Sequence, residues 1–102
     1  MKRRPVIYLR RAQQDLAGIQ KYIEQDSPAQ ARAWLERLDQ VLERLSRFPE
    51  SGVLARDRWL AARGYRMVVV GEHLAFYVLR GRRVEVRRVL HGRQRYSFLL
   101  QD

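Results

Sequence analysis

The sequence predicts an α+β fold in which a helical hairpin packs on one face of a small antiparallel sheet. Three observations support this class: an apolar run at the start, two long segments of helical periodicity after it, and three short alternating segments after Gly64. The expected element order is β-α-α-β-β-β. A chain of 102 residues suits a single domain, which we assign to residues 1–102 with a core of about 5–96.

The N-terminal part of the predicted fold is one strand followed by a helix. Residues 6–9 form a short apolar run suited to a strand. Apolar residues then recur at spacings of 4, 3 and 4, which is typical of one helix face: Ala12, Leu16, Ile19 and Ile23. Gly18 interrupts this helix at a cost of about 1 kcal/mol relative to alanine, so we expect it to mark close packing.

A second helix is indicated by its capping signals. Ser27 can cap it, Pro28 suits its first position, and Gln30 stands where a capping box has Glu or Gln. A leucine-rich stripe runs from Ala31 to Phe48, and the turn residues that follow end the helix. Since about three residues separate the two helices, we predict an antiparallel hairpin.

The C-terminal part is predicted to hold three antiparallel strands, at residues 65–70, 74–79 and 84–90, because short turns join them. Their alternation predicts one buried face, with the arginine side chains on the other face, at the edges or in the turns. The alternation breaks at Arg87 and Arg88, so one of these two faces the packed side or lies at an edge. Residues 53–63 fit either an edge strand or a loop.

Arginine dominates the charge of the chain. The net charge is +10, and residues 52–102 carry 11 basic against 4 acidic side chains. Each guanidinium is a fixed fork of donors that stays charged at physiological pH. This imbalance favours an anionic partner, either nucleic acid or an acidic protein segment.

Several classes of site are excluded by composition. Without cysteine there is no disulfide, thiolate metal site or cysteine nucleophile. His73 and His91 have no carboxylate or cysteine at ligand spacing, so we expect no metal, and without a glycine-rich phosphate loop we expect no cofactor. No apolar run approaches the roughly 20 residues of a membrane span, and no signal peptide is recognisable, so we expect a soluble cytoplasmic protein.

Five segments occur in an order and spacing that point to a known family. They are Ala12-x-x-Asp15-Leu16-x-x-Ile19-x-x-Tyr22-Ile23, Ser27-Pro28-x-x-Ala31, Leu45-x-x-Phe48-Pro49-x-x-Gly52, Tyr65-Arg66 and Val89-Leu90-His91-Gly92-Arg93-Gln94. With these segments, roughly residues 5–96 resemble the RelE/ParE superfamily of bacterial toxins from type II toxin–antitoxin modules. In this superfamily the RelE-like branch cuts messenger RNA in the ribosomal A site, and the ParE-like branch poisons DNA gyrase. The helix patterns and the His-Gly-Arg-Gln ending are similar to the ParE-like branch.

The pattern of the nuclease branch is only partly present. That branch has two lysines before the Gly-Tyr-Arg strand, the arginine of that strand, an arginine after the last strand and a tyrosine near the C-terminus. Arg66 and Arg93 match two positions, and Tyr96 lies three residues closer to its arginine than in the pattern. The lysine pair is missing, and Arg56 and Arg58 approach its place only with one inserted residue.

The missing lysines have a chemical consequence. Cleavage of RNA at its own 2′-hydroxyl needs a base and an acid, and arginine cannot act as a base because its pKa exceeds about 12. A nuclease here would have to recruit His91 or Tyr96. Its catalytic set would then be Arg66, His91, Arg93 and Tyr96.

The leading interpretation is therefore a ParE-like toxin that inhibits gyrase without chemistry of its own. Charge and position, rather than the resemblance, select the residues that we expect to contact the target: Arg56, Arg58, Trp59, Arg87, Arg88, Arg93 and Arg95. Trp59 could instead belong to the core. A third interpretation is a decayed member that still binds its partner but no longer harms the cell.

The resemblance also implies a partner, a cognate antitoxin with a C-terminal segment that wraps the toxin and an N-terminal part that binds operator DNA. A toxin with a charge of +10 should attract an acidic, amphipathic segment. We expect its apolar side to dock near the helical hairpin and the sheet. DNA contact should occur mainly through the antitoxin, because no helix of this chain carries a clustered basic face.

Overall fold

A computed structural model describes residues 3–94 and Leu100 and confirms the α+β class. The elements are β1 (Val6–Tyr8), α1 (Arg10–Asp26), α2 (Pro28–Arg47), β2 (Val53–Leu54), α3 (Arg58–Ala62), β3 (Arg66–Val70), β4 (His73–Arg80) and β5 (Arg83–His91). All five strands form one sheet in the order β1-β5-β4-β3-β2. The pairs β2–β3, β3–β4 and β4–β5 are antiparallel, whereas β1 runs parallel to β5.

The helical hairpin is tighter than the sequence predicts. Ser27 alone separates α1 from α2, and its Oγ accepts a hydrogen bond of 3.2 Å from the backbone N–H of Gln30, which caps α2. The expectation that Gly18 marks close packing was wrong. A Cβ atom built at Gly18 would have no heavy atom within 4 Å. No helix in the described part of the chain is long and apolar enough to cross a bilayer.

Residues 53–63 combine a strand and a helix. Val53–Leu54 is a two-residue edge strand, which is one of the two predicted alternatives. Arg58–Ala62 forms the short helix α3, which the sequence analysis did not predict. Asp57 caps α3, because its Oδ1 accepts a hydrogen bond of 3.0 Å from the N–H of Leu60. Leu60 is fully buried and Trp59 partly buried, and both side chains help to hold this short element on the sheet.

Both faces of the sheet are packed. One face meets the hairpin in a core that includes Trp34, Leu45 and Tyr77. The other face carries a second core, from α3 and the segment leading into β3, that includes Leu60, Tyr65 and Phe76. The sheet therefore has no solvent-exposed face covered by arginine in the described part of the chain. Most of its described arginines lie at the turns, at strand ends or at sheet edges, where the guanidinium groups remain hydrated.

The break in alternation at Arg87 and Arg88 is a β-bulge. Val86 pairs with Tyr77, and Arg88 pairs with the adjacent Phe76, so Arg87 has no counterpart in the register. The extra residue sends the two guanidinium groups to different sides of the sheet. Arg88 reaches α1 at the edge of β5, whereas Arg87 lies on the α3 side, so the break in alternation does mark an irregularity, although both faces of the sheet are packed.

Candidate functional site

A groove of about 770 Å³ opens between the helical hairpin, the β3–β4 turn and the end of β5. Residues that carry the family resemblance line it from both ends of the chain: Asp15, Ile19, Tyr22, Ile23, Val89, Leu90, His91 and Gln94. Segments about 70 positions apart in the chain thus form one surface. Proteins usually bind their ligands at concave sites that carry a few convergent polar groups.

Asp15 closes one side of the groove by completing the edge of β5. The parallel partner β1 ends at Tyr8, which leaves the edge of β5 uncovered after Val86. The Asp15 carboxylate fills that place and accepts the N–H of Val89 at 3.0 Å. It also accepts two bonds from the Arg88 guanidinium, at 2.7 and 3.0 Å. The two side chains are only 12% and 15% exposed, so this pair is largely withdrawn from water.

The His-Gly-Arg-Gln ending is a closed turn. Gln94 Oε1 accepts the N–H of His91 at 2.7 Å, and His91 Nδ1 accepts the N–H of Arg93 at 3.2 Å. The N–H of Gly92 reaches the carbonyl of Glu72 at 2.9 Å, which ties the turn to the β3–β4 connection. Since Nδ1 is an acceptor, neutral His91 carries its proton on Nε2, which lies 3.8 Å from Glu72 Oε2.

Three aromatic rings form the floor of the groove beside this turn. Trp34 donates its Nε1–H to the carbonyl of Val70 at 3.2 Å. Its ring meets His73 edge-on at 5.5 Å, and His73 meets His91 edge-on at 5.3 Å. Burial lowers the pKa of His73, and His91 lowers it further, whereas Glu72 acts in the opposite direction.

The groove is electrically balanced and has an apolar rim. Two carboxylates, of Asp15 and Glu72, face two guanidinium groups, of Arg37 and Arg88. On its rim the Tyr22 side chain is 73% exposed. An exposed aromatic residue at the mouth of a concave site is a common anchor for a protein partner.

The structure does not bring the predicted nuclease residues together. Arg66 donates to the carbonyls of Glu50 and Gly52 at 3.2 and 2.8 Å and so holds the loop before β2. Arg66 pairs with Tyr77 on β4, whereas His91 pairs with His73, four residues further along that strand. The separation is about 13 Å along the strands and two strand widths, about 10 Å, across them. Arg93 follows His91, and Tyr96 lies outside the described residues.

The predicted target-binding residues divide between two sides of the sheet. On the α3 side, Arg56 and Arg58 are exposed. Trp59 is partly buried against the second core, and the guanidinium of Arg63 covers its ring at 3.7 Å. Arg87 lies on the same side, 5.9 Å from the ring of Tyr65.

The remaining arginines of that set are elsewhere. Arg88 turns to the helix side, where Asp15 binds it, and exposed Arg93 lies in the turn after β5. Arg95 lies outside the described residues. The sequence interpretation missed the groove itself, including Trp34 and Arg37. Asp15 gave a signal, because a carboxylate directly before Leu16 borders the apolar stripe of α1.

Residues 3–94 and Leu100 contain no group of three or more potential metal ligands from His, Cys, Asp and Glu. In the groove, Glu72 Oε2 lies 3.8 Å from His91 Nε2. The described arrangement therefore offers surfaces for binding, with hydrogen-bonding and aromatic groups already oriented by the fold.

Comparison with known proteins gives a consistent result. The family model described as "ParE toxin of type II toxin-antitoxin system, parDE" matches residues 6–96. Among solved structures, the chain is similar to one from a "Chromosomal ParDE TA system from P. aeruginosa", with a TM-score of 0.68 and 16% identity over 86% of this chain and 95% of that one. At this identity the structural likeness shows the fold alone. No curated protein matches the sequence.

Proposed function

Because the chain belongs to the ParE toxin family of type II toxin–antitoxin systems, we propose that it inhibits DNA gyrase in the cytoplasm and is neutralised by a cognate antitoxin. The observation that carries this proposal is the family match over residues 6–96. It is joined by a charge of +10, which suits an acidic antitoxin segment.

The arrangement of the candidate catalytic residues supports a toxin without chemistry of its own. Arg66 is occupied by the carbonyls of Glu50 and Gly52. It is also about 13 Å further along the strands than His91, beyond the reach of a single phosphate. The alternative, a ribosome-dependent endoribonuclease, would need these groups to converge on one 2′-hydroxyl.

We place target contact on the α3 side of the sheet and at the end of β5. Arg56 and Arg58 expose their guanidinium groups there, and Arg93 lies exposed in the turn after β5. Arg87 and the partly buried Trp59 support this surface through contacts with Tyr65 and Arg63. Since Arg88 is bound to Asp15 on the opposite side, we assign it to holding α1 on β5.

We place the antitoxin in the groove. Tyr22 and Ile23 offer an apolar anchor on α1, and Arg37 offers a cation on α2, which together match an acidic, amphipathic segment. The antitoxin would also supply the DNA-binding part of the complex, because no described helix carries a clustered basic face.

A supercoiling assay tests the gyrase proposal. Relaxed plasmid, gyrase and ATP are incubated with increasing amounts of the purified chain, and we expect lost supercoiling, with linear DNA released on denaturation. The Arg56→Glu/Arg58→Glu double variant should weaken this inhibition. The matched control Arg10→Glu/Arg11→Glu makes the same charge change at exposed positions at the start of α1 and should inhibit like the parent. Unchanged supercoiling by folded protein would contradict the proposal.

Primer extension on cellular transcripts after induction separates the alternatives. A gyrase inhibitor leaves transcripts uncut, whereas cuts in codon register would establish the nuclease. Folded protein that binds an antitoxin but neither slows growth nor alters supercoiling would support the third interpretation, a retained partner without toxicity.

A further inference from the structure

A second pocket, of about 620 Å³, lies at the other end of the β4–β5 hairpin from the groove. The pairs His73–His91 and Arg80–Arg83 stand at the two ends of these strands. The seven residues between them along β4 correspond to a distance of about 24 Å. The charged residues that line the second pocket are Arg3, Arg4, Arg47, Arg82 and Glu50, which give it a net charge of +3. The groove, by contrast, has as many carboxylates as guanidinium groups.

The fold holds one arginine of this pocket, Arg4, in place through its backbone and its side chain. The N–H of Arg4 donates to the carbonyl of Ser46 at 2.9 Å, and Ser46 Oγ donates to the carbonyl of Arg4 at 2.8 Å. These bonds fix the segment before β1 against the last turn of α2. The Arg4 guanidinium also reaches the carbonyl of Gly81 at 3.3 Å, which joins this segment to the β4–β5 turn.

The positive charge of the pocket is only partly compensated. Arg3 and Arg47 share the single carboxylate of Glu43, at 2.6 and 3.1 Å. Arg82, in the β4–β5 turn, makes no hydrogen bond or ion pair with any of the described residues. Guanidinium groups in excess of their carboxylates keep donors available for an anion, and phosphate accepts two of them at once.

The pocket also contains an exposed ring. Phe48 is the C-cap of α2 and is 51% exposed, so roughly half of its surface meets water beside the arginines. Burying such a ring is favourable only if the ligand brings an apolar or flat surface. The ligand should therefore combine a fixed negative charge with a flat face, and a nucleotide does so within one unit.

We propose that the pocket formed by Arg3, Arg4, Arg47, Phe48 and Arg82 binds single-stranded nucleic acid, with phosphates on the arginines and a base stacked on Phe48. An acidic peptide would neutralise the arginines but would cover the ring only if it also placed an apolar side chain there, whereas every nucleotide carries a phosphate and a flat base together. The site is distinct from the groove and from the α3 side. It does not depend on gyrase as the target.

Fluorescence anisotropy with a labelled oligothymidylate of about 12 nucleotides tests this site, because aromatic–basic surfaces of this kind cover about 4–16 nucleotides. We expect Phe48→Ala to weaken binding by about 5- to 160-fold, which corresponds to the loss of one stacked base. Phe48→Tyr keeps the ring and should bind like the parent. Arg82→Ala removes one phosphate contact and should lower the slope of log affinity against log salt by about 0.7.

Two control variants show whether binding is local. Tyr22→Ala removes another exposed ring, and Arg32→Ala removes an exposed arginine of α2 that does not line the pocket. Neither should change affinity by more than about twofold, apart from the long-range charge effect, which salt screens. Equal losses in pocket and control variants would overturn the proposal in favour of diffuse attraction by net charge.

Two further outcomes would also overturn the proposal. The first is that folded protein fails to bind the oligonucleotide at all. The second is that polyglutamate of similar length competes as strongly as the oligonucleotide, which would make the pocket a contact for acidic protein. Should Phe48→Ala fail to fold, Arg82→Ala still decides the matter, because Arg82 lies exposed in a turn and supports no other contact among the described residues.

Discussion

Asp15 shows how one side chain can determine the relation between two elements. Its carboxylate receives three hydrogen bonds from β5, from the N–H of Val89 and from two nitrogens of Arg88. A carboxylate that accepts several charged and backbone donors in a partly dry site is hard to replace, because each donor loses the bond that the carboxylate accepted.

We expect Asp15→Ala to lower the free energy of unfolding by about 3 kcal/mol, because it leaves the buried Arg88 charge without its carboxylate. Urea denaturation followed by circular dichroism measures the change. Glu24→Ala removes an exposed carboxylate from the same helix and should cost under about 0.5 kcal/mol. A loss at Asp15 no larger than at Glu24 would show that the carboxylate does not hold α1 on β5.

His73 gives the fold a dependence on pH. Burial lowers its pKa from the ordinary value of 6.5, with His91 as a second cause. The unfolded chain therefore takes up the proton first as the pH falls, and the free energy of unfolding decreases below about pH 6.5. Urea denaturation over roughly pH 5 to 8 should show this decrease, and His73→Phe should flatten it. An identical pH profile in the variant would exclude His73 as the cause.

Single residues also mark the limits of prediction. The break at Arg87 and Arg88 was visible in the sequence, but which of the two would face the helices was not. That choice depends on Asp15, 73 positions away from Arg88, which supplies the carboxylate on one side only. Alternation reports the local direction of a side chain and carries no information on a distant partner.

At the scale of elements, the start of α2 could be predicted because its capping signals are local in sequence. Three residues, Ser27, Pro28 and Gln30, indicate where this helix begins without any knowledge of tertiary contacts. Asp57 caps α3 in the same way, yet α3 spans five residues, too few for a periodic pattern. Burial of Leu60, which is a tertiary effect, selects the helix over the strand.

Replacing either of two glycines with alanine should change stability in opposite directions: Gly18 lies within α1, and Gly52 lies in the bend before β2. A Cβ atom at buried Gly52 would lie 2.5 Å from Tyr77 Oη, whereas one at Gly18 would meet nothing within 4 Å. Gly52 also donates its N–H to that hydroxyl at 2.9 Å. We expect Gly52→Ala to cost about 1–3 kcal/mol and Gly18→Ala to gain about 0.5–1 kcal/mol. Thermal denaturation of the two variants measures whether stability falls in Gly52→Ala and rises in Gly18→Ala. If Gly52→Ala did not change stability, the tight packing against Tyr77 would be contradicted.

At the scale of the whole molecule, the two concave surfaces differ in character. The groove is balanced in charge and aromatic, whereas the pocket around Phe48 carries a net charge of +3. Neither could be predicted as a site, because each assembles residues from distant segments. The fold class could be predicted, since it depends on periodicity and turns that are local to each element.

The net charge of +10 predicts the kinetics of antitoxin binding. Association with an acidic antitoxin segment should slow steeply as salt rises, because attraction over the whole surface is screened. Tyr22→Ala should leave the association rate nearly unchanged but raise the dissociation rate by about 10- to 100-fold, as for an anchoring aromatic. Stopped-flow fluorescence separates the two rates. A dissociation rate unaffected by Tyr22→Ala would place the antitoxin outside the groove.

The parallel pairing of β1 with β5 sets the timing of folding during translation. Val86 pairs with Tyr8 but is added 78 positions later, about 4–16 s at about 5–20 residues per second. Until then the nascent β1 strand and helical hairpin have no completed sheet to cover their apolar faces. The groove needs both Asp15 and His91, and the pocket needs both Arg4 and Arg82. The groove cannot form on a ribosome-bound chain before the end of β5 has emerged, and the pocket cannot form before Arg82, in the turn that precedes β5, has emerged.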